Sequence, residues 1–198
     1  MPFIQMQPGT LLSPTPVVMV SCAAEGFRPN IITLAWVGTV NSEPPMVSIS
    51  VRPGRYSYPI IQQSGEFVVN LVSRELMRVT DLCGVTSGAS VDKFARYGLE
   101  AQPIEGMRYA PAIAQSPAFL ACKVTQAIEL GTHTMFLGRI VQMGIRSDLM
   151  EEGGKIDFVK ADLVAYSHGE YVGLTAPEGF FGYSIARPEV LERRLKNK

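Results

Sequence analysis

Arg52-Pro53-Gly54-Arg55-Tyr56-Ser57 sets two guanidinium groups and a hydroxyl around a Pro-Gly pair. A type II turn takes proline at its second position and glycine at its third, and it brings the flanking Cα atoms within about 7 Å. Arg52 and Arg55 are thus expected to converge, and converging cations call for a multiply charged anion or for open solvent. A phosphate monoester carries roughly −1.5 to −2 charges at neutral pH and accepts bidentate hydrogen bonds from arginine. Ser57 adds a hydroxyl. Pro59 suits the first turn of a short helix over Pro59 to Gln63, whose leading N–H groups lack intrahelical partners and face the same anion. The same residues also fit an ordinary hairpin turn with two solvated arginines, and the local pattern leaves both readings open.

Other chemistry is sparse. His133 and His168 are the two histidines, too far apart for a metal-ligand spacing. Cys22, Cys83 and Cys122 form no C-x-x-C pair, which argues against a zinc site or a disulfide framework. Cys83, near a predicted helix end, has the alternative of a redox thiol, but a buried apolar role is the expected one. The chain contains no G-x-S-x-G, G-x-x-x-x-G-K-[ST], H-E-x-x-H or G-x-G-x-x-G pattern, so common hydrolase, P-loop, zinc and Rossmann sites find no support.

The elements that must position these residues are mostly strands. Val17 to Ala23, Ile31 to Val40, Met46 to Arg52, Phe67 to Leu71, Phe119 to Leu130, Thr132 to Gly144 and Ala161 to Ser167 are Val-, Ile- and Thr-rich runs separated by turn residues. Glu129-Leu130-Gly131-Thr132 predicts a tight hairpin. The fold class expected is mainly β, an antiparallel barrel or sandwich with few helices. Ser73 is a candidate cap for a helix from Arg74 to Leu82 with Leu76, Val79 and Leu82 on one face. Ser90 is the equivalent for Val91 to Tyr97, and Pro188 opens a terminal helix of Glu189 to Lys196. Glu100 to Gln115 and Gly173 to Gly182 read as long irregular connections, a length that tends to be functional or to cross a subunit boundary.

With 198 residues, a single domain is expected. Charged residues are 18% against a typical ~25%, which suggests a surface suited to self-association. Eighteen Lys plus Arg balance eighteen Asp plus Glu, so there is no basic field for nucleic acid. No window approaches the ~20 apolar residues of a membrane span, and the N-terminal MPFIQMQPGT lacks signal-peptide character. A cytoplasmic protein without membrane or nucleic-acid partners is expected.

TLAWVGTVNSEPPMVSISVRPGRYSY (33–58), GEFVVNLV (65–72), SGASVDKF (87–94) and GTHTMFLGRI (131–140) occur in this order. Together they resemble the flavin reductase-like family, most closely its flavoredoxin-type members, over about residues 16–167. The resemblance implies an FMN-binding split barrel, Greek-key-like and antiparallel. It also implies a homodimer with flavin near the subunit interface, and NADH or NADPH as electron donor. The whole chain, 1–198, then forms one flavin reductase-like domain with an extension over 168–198.

Carried onto this sequence, the resemblance places the flavin ring along Thr33, Leu34, Ala35 and Trp36 and beside Ser48, Ile49 and Ser50. Thr39 and Asn41 are candidates for the ribityl chain or ring carbonyls, with strand and turn polarity as the alternative. Arg52, Arg55 and Ser57 become a phosphate clamp. Lys93 is expected near the flavin, or else is a solvated helix lysine. His133 is the one candidate catalytic contact, near flavin or nicotinamide, and Tyr166 and His168 are candidates for the rim. Many stand-alone flavin reductases carry a Ser/Thr-rich segment where this chain has two arginines, which points to a retained FMN rather than riboflavin or a diffusing flavin. The function implied is electron transfer from NAD(P)H through FMN to an acceptor, with a non-catalytic FMN electron carrier reduced by a protein partner as the alternative.

Overall fold

A strand that is apolar at consecutive positions must be covered on both faces. The computed structural model, which describes residues 1–195, has one such strand near its start. After the short β1 (Thr15–Pro16), β2 (Val18–Ala24) is buried at all of its positions. Val18, Val20, Cys22 and Ala24 enter one core, while Met19 faces a second. Beyond it follow β3 (Phe27–Leu34), β4 (Val37–Ser42), β5 (Pro45–Val51), β6 (Glu66–Leu71), the two-residue β7 (Ala101–Gln102) and β8 (Ala112–Ile113), β9 (Ala118–Glu129) and β10 (Thr134–Ile145). The last strands are β11 (Val164–Ser167) and β12 (Glu170–Gly173). The helices are α1 (Ser57–Ser64), α2 (Met77–Val85), α3 (Lys93–Tyr97) and α4 (Pro188–Leu195).

Seven strands form one antiparallel sheet in the order β3-β2-β6-β9-β10-β5-β4. Its two edge strands, β3 and β4, are consecutive in the chain and separated by Ala35 and Trp36 alone. The sheet therefore curls so that its edges come near one another at this link without a ladder between β3 and β4, a split antiparallel barrel. At the seam Ser50 N–H donates to Trp36 O at 3.0 Å. The expected single strand Ile31 to Val40 is accordingly two strands, because its halves pair with opposite ends of the sheet. Ile60 and Ile61 of α1 plug the barrel against Ile49, Val51, Phe67 and Phe136. The second core lies outside, between β2 and β3, α2 and α3.

Several expectations are corrected. Arg55 N–H does donate to Arg52 O at 3.0 Å, yet Gly54 is not among the glycines with positive φ, so the turn is not type II. Tyr58 N–H donates in turn to Arg55 O at 2.9 Å, and the bend runs directly into α1. That helix begins at Ser57, two residues before Pro59, whose missing N–H falls in the first turn where no intrahelical acceptor exists. The helix expected over 74–82 is a 3₁₀ turn, Arg74–Leu76, followed by α2, and its fully buried residues are Leu76, Thr80 and Cys83. Ser73 makes no side-chain cap and instead bridges to Leu163. Asp92 rather than Ser90 caps α3, accepting from Ala95 N–H at 3.1 Å. β11 joins β1 and β12 in a separate three-stranded sheet rather than the barrel. Helix α4 opens at Pro188 as expected, and its expected end at Lys196 lies outside the described residues.

The connection 100–115, expected to be irregular, pairs β7 with β8, and its segment 108–110 is held by a single carboxylate. Glu66, 5% exposed, accepts from the N–H groups of Arg108 (3.1 Å), Tyr109 (2.9 Å) and Ala110 (3.3 Å). Removing it would leave three donors without that acceptor, at a cost of about 1–3 kcal/mol or more for the site as a whole. Glu66→Ala should lower the urea midpoint accordingly and speed amide exchange at 108–110, whereas Glu66→Gln should recover part of both.

Candidate functional site

The seam leaves backbone from two edge strands facing outward, and helix α2 stands opposite it. Thr33 Oγ1 donates to Thr80 O, drawing the end of β3 onto the helix. Gly84 lies so near that an added Cβ would sit 3.3 Å from Thr33 Cβ. Between these walls runs a hollow of about 400 Å³. Thr33, Leu34, Ala35, Trp36, Ser50, Arg52, Arg55, His133 and Tyr166 line it, with Asp81, Gly84 and Val85 contributed by α2.

The hollow continues into a smaller one of about 280 Å³ beneath the turn that follows α2. Arg55, Ser57 and Lys93 line it together with Asn30, Thr86, Ser87 and Gly88. Arg55 lines both, and also a shallow depression shared with Arg52 and Thr132. No carboxylate pairs with Arg52 or Arg55 among the described residues. Gly88 permits close packing here, since a Cβ would collide with Asn30 Oδ1 and the Tyr56 ring.

Lys93 is buried at 3% exposure, not solvated. Its ammonium donates to Ile31 O and to Cys83 O, both at 2.6 Å, tying β3 to the C-terminal turn of α2 where a cation meets the negative end of the helix dipole. An ammonium has three donors, so one remains for the hollow. Burial lowers its pKa, opposed by the nearby Cys83 and Cys22 thiols and reinforced by the positive charge of Arg55. Two mutually repelling cations at one hollow, one of them desolvated, define a site that an anion would relieve.

His133 sits in the β9–β10 hairpin, where Leu130 N–H donates to His133 O at 2.8 Å and Gly131 adopts φ 92°. Its ring lies parallel to the Trp36 indole, 9° between planes and 6.2 Å between centroids, and Nδ1 contacts Thr132 Oγ1 at 2.9 Å. Tyr166 packs edge-on to Tyr171, whose hydroxyl donates to Asp81 at 3.1 Å. Burial, then Asp81, pushes the Tyr171 phenol up to about 12.

Most of the expected site residues therefore come together along one groove. Ser48 lines its extension toward Tyr166 and His168. Three do not join it: Ile49 points into the barrel core, and Thr39 and Asn41 are exposed on β4, with Asn41 Nδ2 donating to Pro44 O in the hairpin turn at 2.8 Å. Ser57 faces the hollow, but its hydroxyl already accepts from Asn30 Nδ2 at 2.8 Å. Asn30, Asp81, Gly84, Thr86 and Tyr171 also line the hollows and belong to no motif that marks them in the sequence, although Thr86-Ser87-Gly88 after a helix is a readable turn signal. Cys83 is no redox thiol candidate on its exposure: all three cysteines are buried, and burial raises Cys83 to about 11 and Cys22 and Cys122 to about 12.

The chain belongs to the flavin reductase like domain family, whose model matches residues 11–175. The flavoredoxin of Desulfovibrio vulgaris (Miyazaki F) is 30% identical, with a TM-score of 0.86 over 93% of this chain and 100% of that one. Flavoredoxin from Methanosarcina acetivorans is 27% identical, with a TM-score of 0.85 over 94% and 100%. The reductase component of the FADH(2)-dependent resorcinol hydroxylase of Rhizobium sp. is 24% identical over 131 residues, 66% of this chain and 70% of that protein. The chain is thus a flavin-related redox protein with a split-barrel fold. Among the described residues no helix is long and apolar enough to cross a membrane.

The lowered Lys93 pKa has a definite sign. Folding costs most where Lys93 is forced to stay charged, below its folded pKa, and that cost is relieved as pH rises from there toward the unfolded value of 10.5. Over that window the wild type should gain stability relative to Lys93→Met, measured by urea unfolding at stepped pH, and a phosphate-bearing ligand should diminish the gain by raising the Lys93 pKa again.

Proposed function

We propose that this chain holds FMN in the seam groove as a prosthetic group and transfers electrons from NADH or NADPH to an acceptor, acting as one domain and as a homodimer. The observation that carries the proposal is the gradient along the groove. One end offers strand backbone and the Trp36–His133 ring pair, and the other offers Arg55 and buried Lys93 without a carboxylate partner among the described residues. A flavin mononucleotide has the matching polarity, a flat ring at one end and a dianionic phosphate at the other. FMN, when bound, supplies reversible two-electron chemistry.

The chain's own residues supply position and charge. Thr33, Leu34, Ala35 and Trp36 present the strand end as a floor for a ring, and small Ala35 and Ser50 allow close backbone approach. Arg55 and Lys93 hold the phosphate, with Ser87 and Gly88 at the mouth of the same hollow, while Arg52 screens the middle of the groove. His133, beside Trp36, orients the ring-side ligands and has no required role as acid or base. Three unpaired buried thiols suit a reducing compartment, supporting a cytoplasmic location.

Likeness to two flavoredoxins supports a second reading, an electron carrier whose flavin is reduced by a protein partner rather than by nicotinamide. The two readings part on one measurement. Anaerobic NADH or NADPH should bleach the visible flavin absorbance of the purified protein within a few turnovers' time; a spectrum unmoved by both donors but bleached by dithionite favours the carrier. Colourless protein that takes up no FMN refutes both.

Arg55→Ala and Arg52→Ala should each weaken FMN by about 1–3 kcal/mol, roughly five- to 150-fold in Kd, with Arg55→Ala the larger loss. Riboflavin titrations serve as the control. Equal losses for FMN and riboflavin would remove the phosphate from the arginine end.

A further inference from the structure

Asn30 is 3% exposed and Ser57 1%, and their side chains meet at the wall of the smaller hollow, where Asn30 Nδ2 donates to Ser57 Oγ at 2.8 Å. A hydroxyl has one hydrogen to give and two lone pairs with which to accept. Since the amide takes a lone pair, the Ser57 hydrogen must be given elsewhere. Within the protein its partner is the Cys22 sulfur, a weak acceptor. The other direction is the hollow itself, which Ser57 lines together with Arg55, Lys93, Ser87 and Gly88. Asn30 is held on its other sides as well. Its backbone carbonyl accepts from Cys22 Sγ at 3.8 Å, and Gly88 packs so near that a Cβ there would collide with Asn30 Oδ1. The Lys93 ammonium donates to the next carbonyl along β3, Ile31 O, at 2.6 Å, so one strand brings the amide and the cation to the same wall.

We propose that Asn30 is a positioning residue for the anion end of the groove: by donating to Ser57 it commits that hydroxyl to act as a donor toward a phosphate in the hollow. A serine without such a neighbour presents an anion with its hydrogen or with its lone pairs, and the lone pairs repel. The amide removes the second choice. A hydrogen bond to a charged oxygen is shorter and roughly twice as strong as one between neutral groups, so a phosphate draws the hydrogen away from the sulfur. An aspartate at position 30 would do the reverse, because a carboxylate only accepts: it would claim the Ser57 hydrogen and add a negative charge beside the anion. That the phosphate is the one carried by FMN rests on the flavin reading above; the orientation of Ser57 by Asn30 does not.

Flavin-free protein would be titrated with inorganic phosphate by calorimetry, and with FMN and riboflavin by flavin fluorescence. Ser57→Ala should weaken phosphate and FMN roughly tenfold while riboflavin, which lacks the phosphate, changes less than about twofold. Asn30→Ala should weaken phosphate and FMN about three- to tenfold, again sparing riboflavin. In the Ser57→Ala background the same change should cost less than about twofold, because there is no hydroxyl left to orient. Asn30→Asp keeps the size of the side chain and guards against a packing defect in Asn30→Ala. It should lose more phosphate and FMN affinity than Asn30→Ala does, and part of that loss should vanish in the Ser57→Ala background. Equal losses for FMN and riboflavin, an Asn30→Ala loss undiminished by Ser57→Ala, or wild-type phosphate binding by Asn30→Asp would overturn the proposal. A wild type that binds phosphate but takes up no FMN sinks the flavin reading alone, and the phosphate titrations then decide the role of Asn30. A wild type that binds neither refutes both.

Discussion

Two residues, Ala35 and Trp36, carry the chain from one edge of the seven-stranded sheet to the other. Every sheet edge presents N–H and C=O groups that need partners, and no ladder joins β3 to β4 across this link. Closure across so short a link cannot be complete. β3 pairs with β2 and β4 with β5, leaving Ser50 N–H to Trp36 O as the hydrogen bond at the corner itself. The seam is therefore where backbone is within reach of a ligand, and the groove lies along it for that reason.

What stands opposite the seam is held by an unusual tie. Lys93 spends two of its three donors on carbonyls of β3 and α2, and Thr33 adds a third link between the same elements. A lysine so placed is expensive to keep charged, and Arg55 nearby makes it more so. The energy is not wasted if an anion arrives, because the cost of holding two cations close in the empty protein becomes binding energy for a phosphate. The same lysine thus serves the fold and tunes the site, and these roles cannot be separated by inspecting charge alone.

The groove is graded along its length. Cations cluster toward α1 and α3, aromatic rings occupy the middle, and uncharged residues close the far end beneath Leu12. The grading follows from topology: the charged end is built by the turn before α1 and the loop after α2, and the neutral end by β4, β5 and the small β1-β11-β12 sheet. A ligand with one charged and one flat end has a single favourable orientation in such a groove.

The sequence by itself determined most of the strands, the backbone bend from Arg52 to Arg55, and, through four ordered segments, the family. Local signals suffice for these, since strand periodicity, a Pro-Gly turn and short motifs are properties of neighbouring residues. Only the tertiary structure decided that Ile31 to Val40 breaks at Ala35, because the break is set by which distant strands each half pairs with. It likewise decided that Gly54 continues into a helix, that Asp92 takes the cap from Ser90, and that Thr39 and Asn41 turn away while Asn30, Asp81, Gly84 and Thr86 face the groove. The last case is the clearest. The sequence leaves Lys93 either a solvated helix lysine or a site residue, and it is a buried tie beside the site, because β3 and α2 meet over it only after the chain has folded.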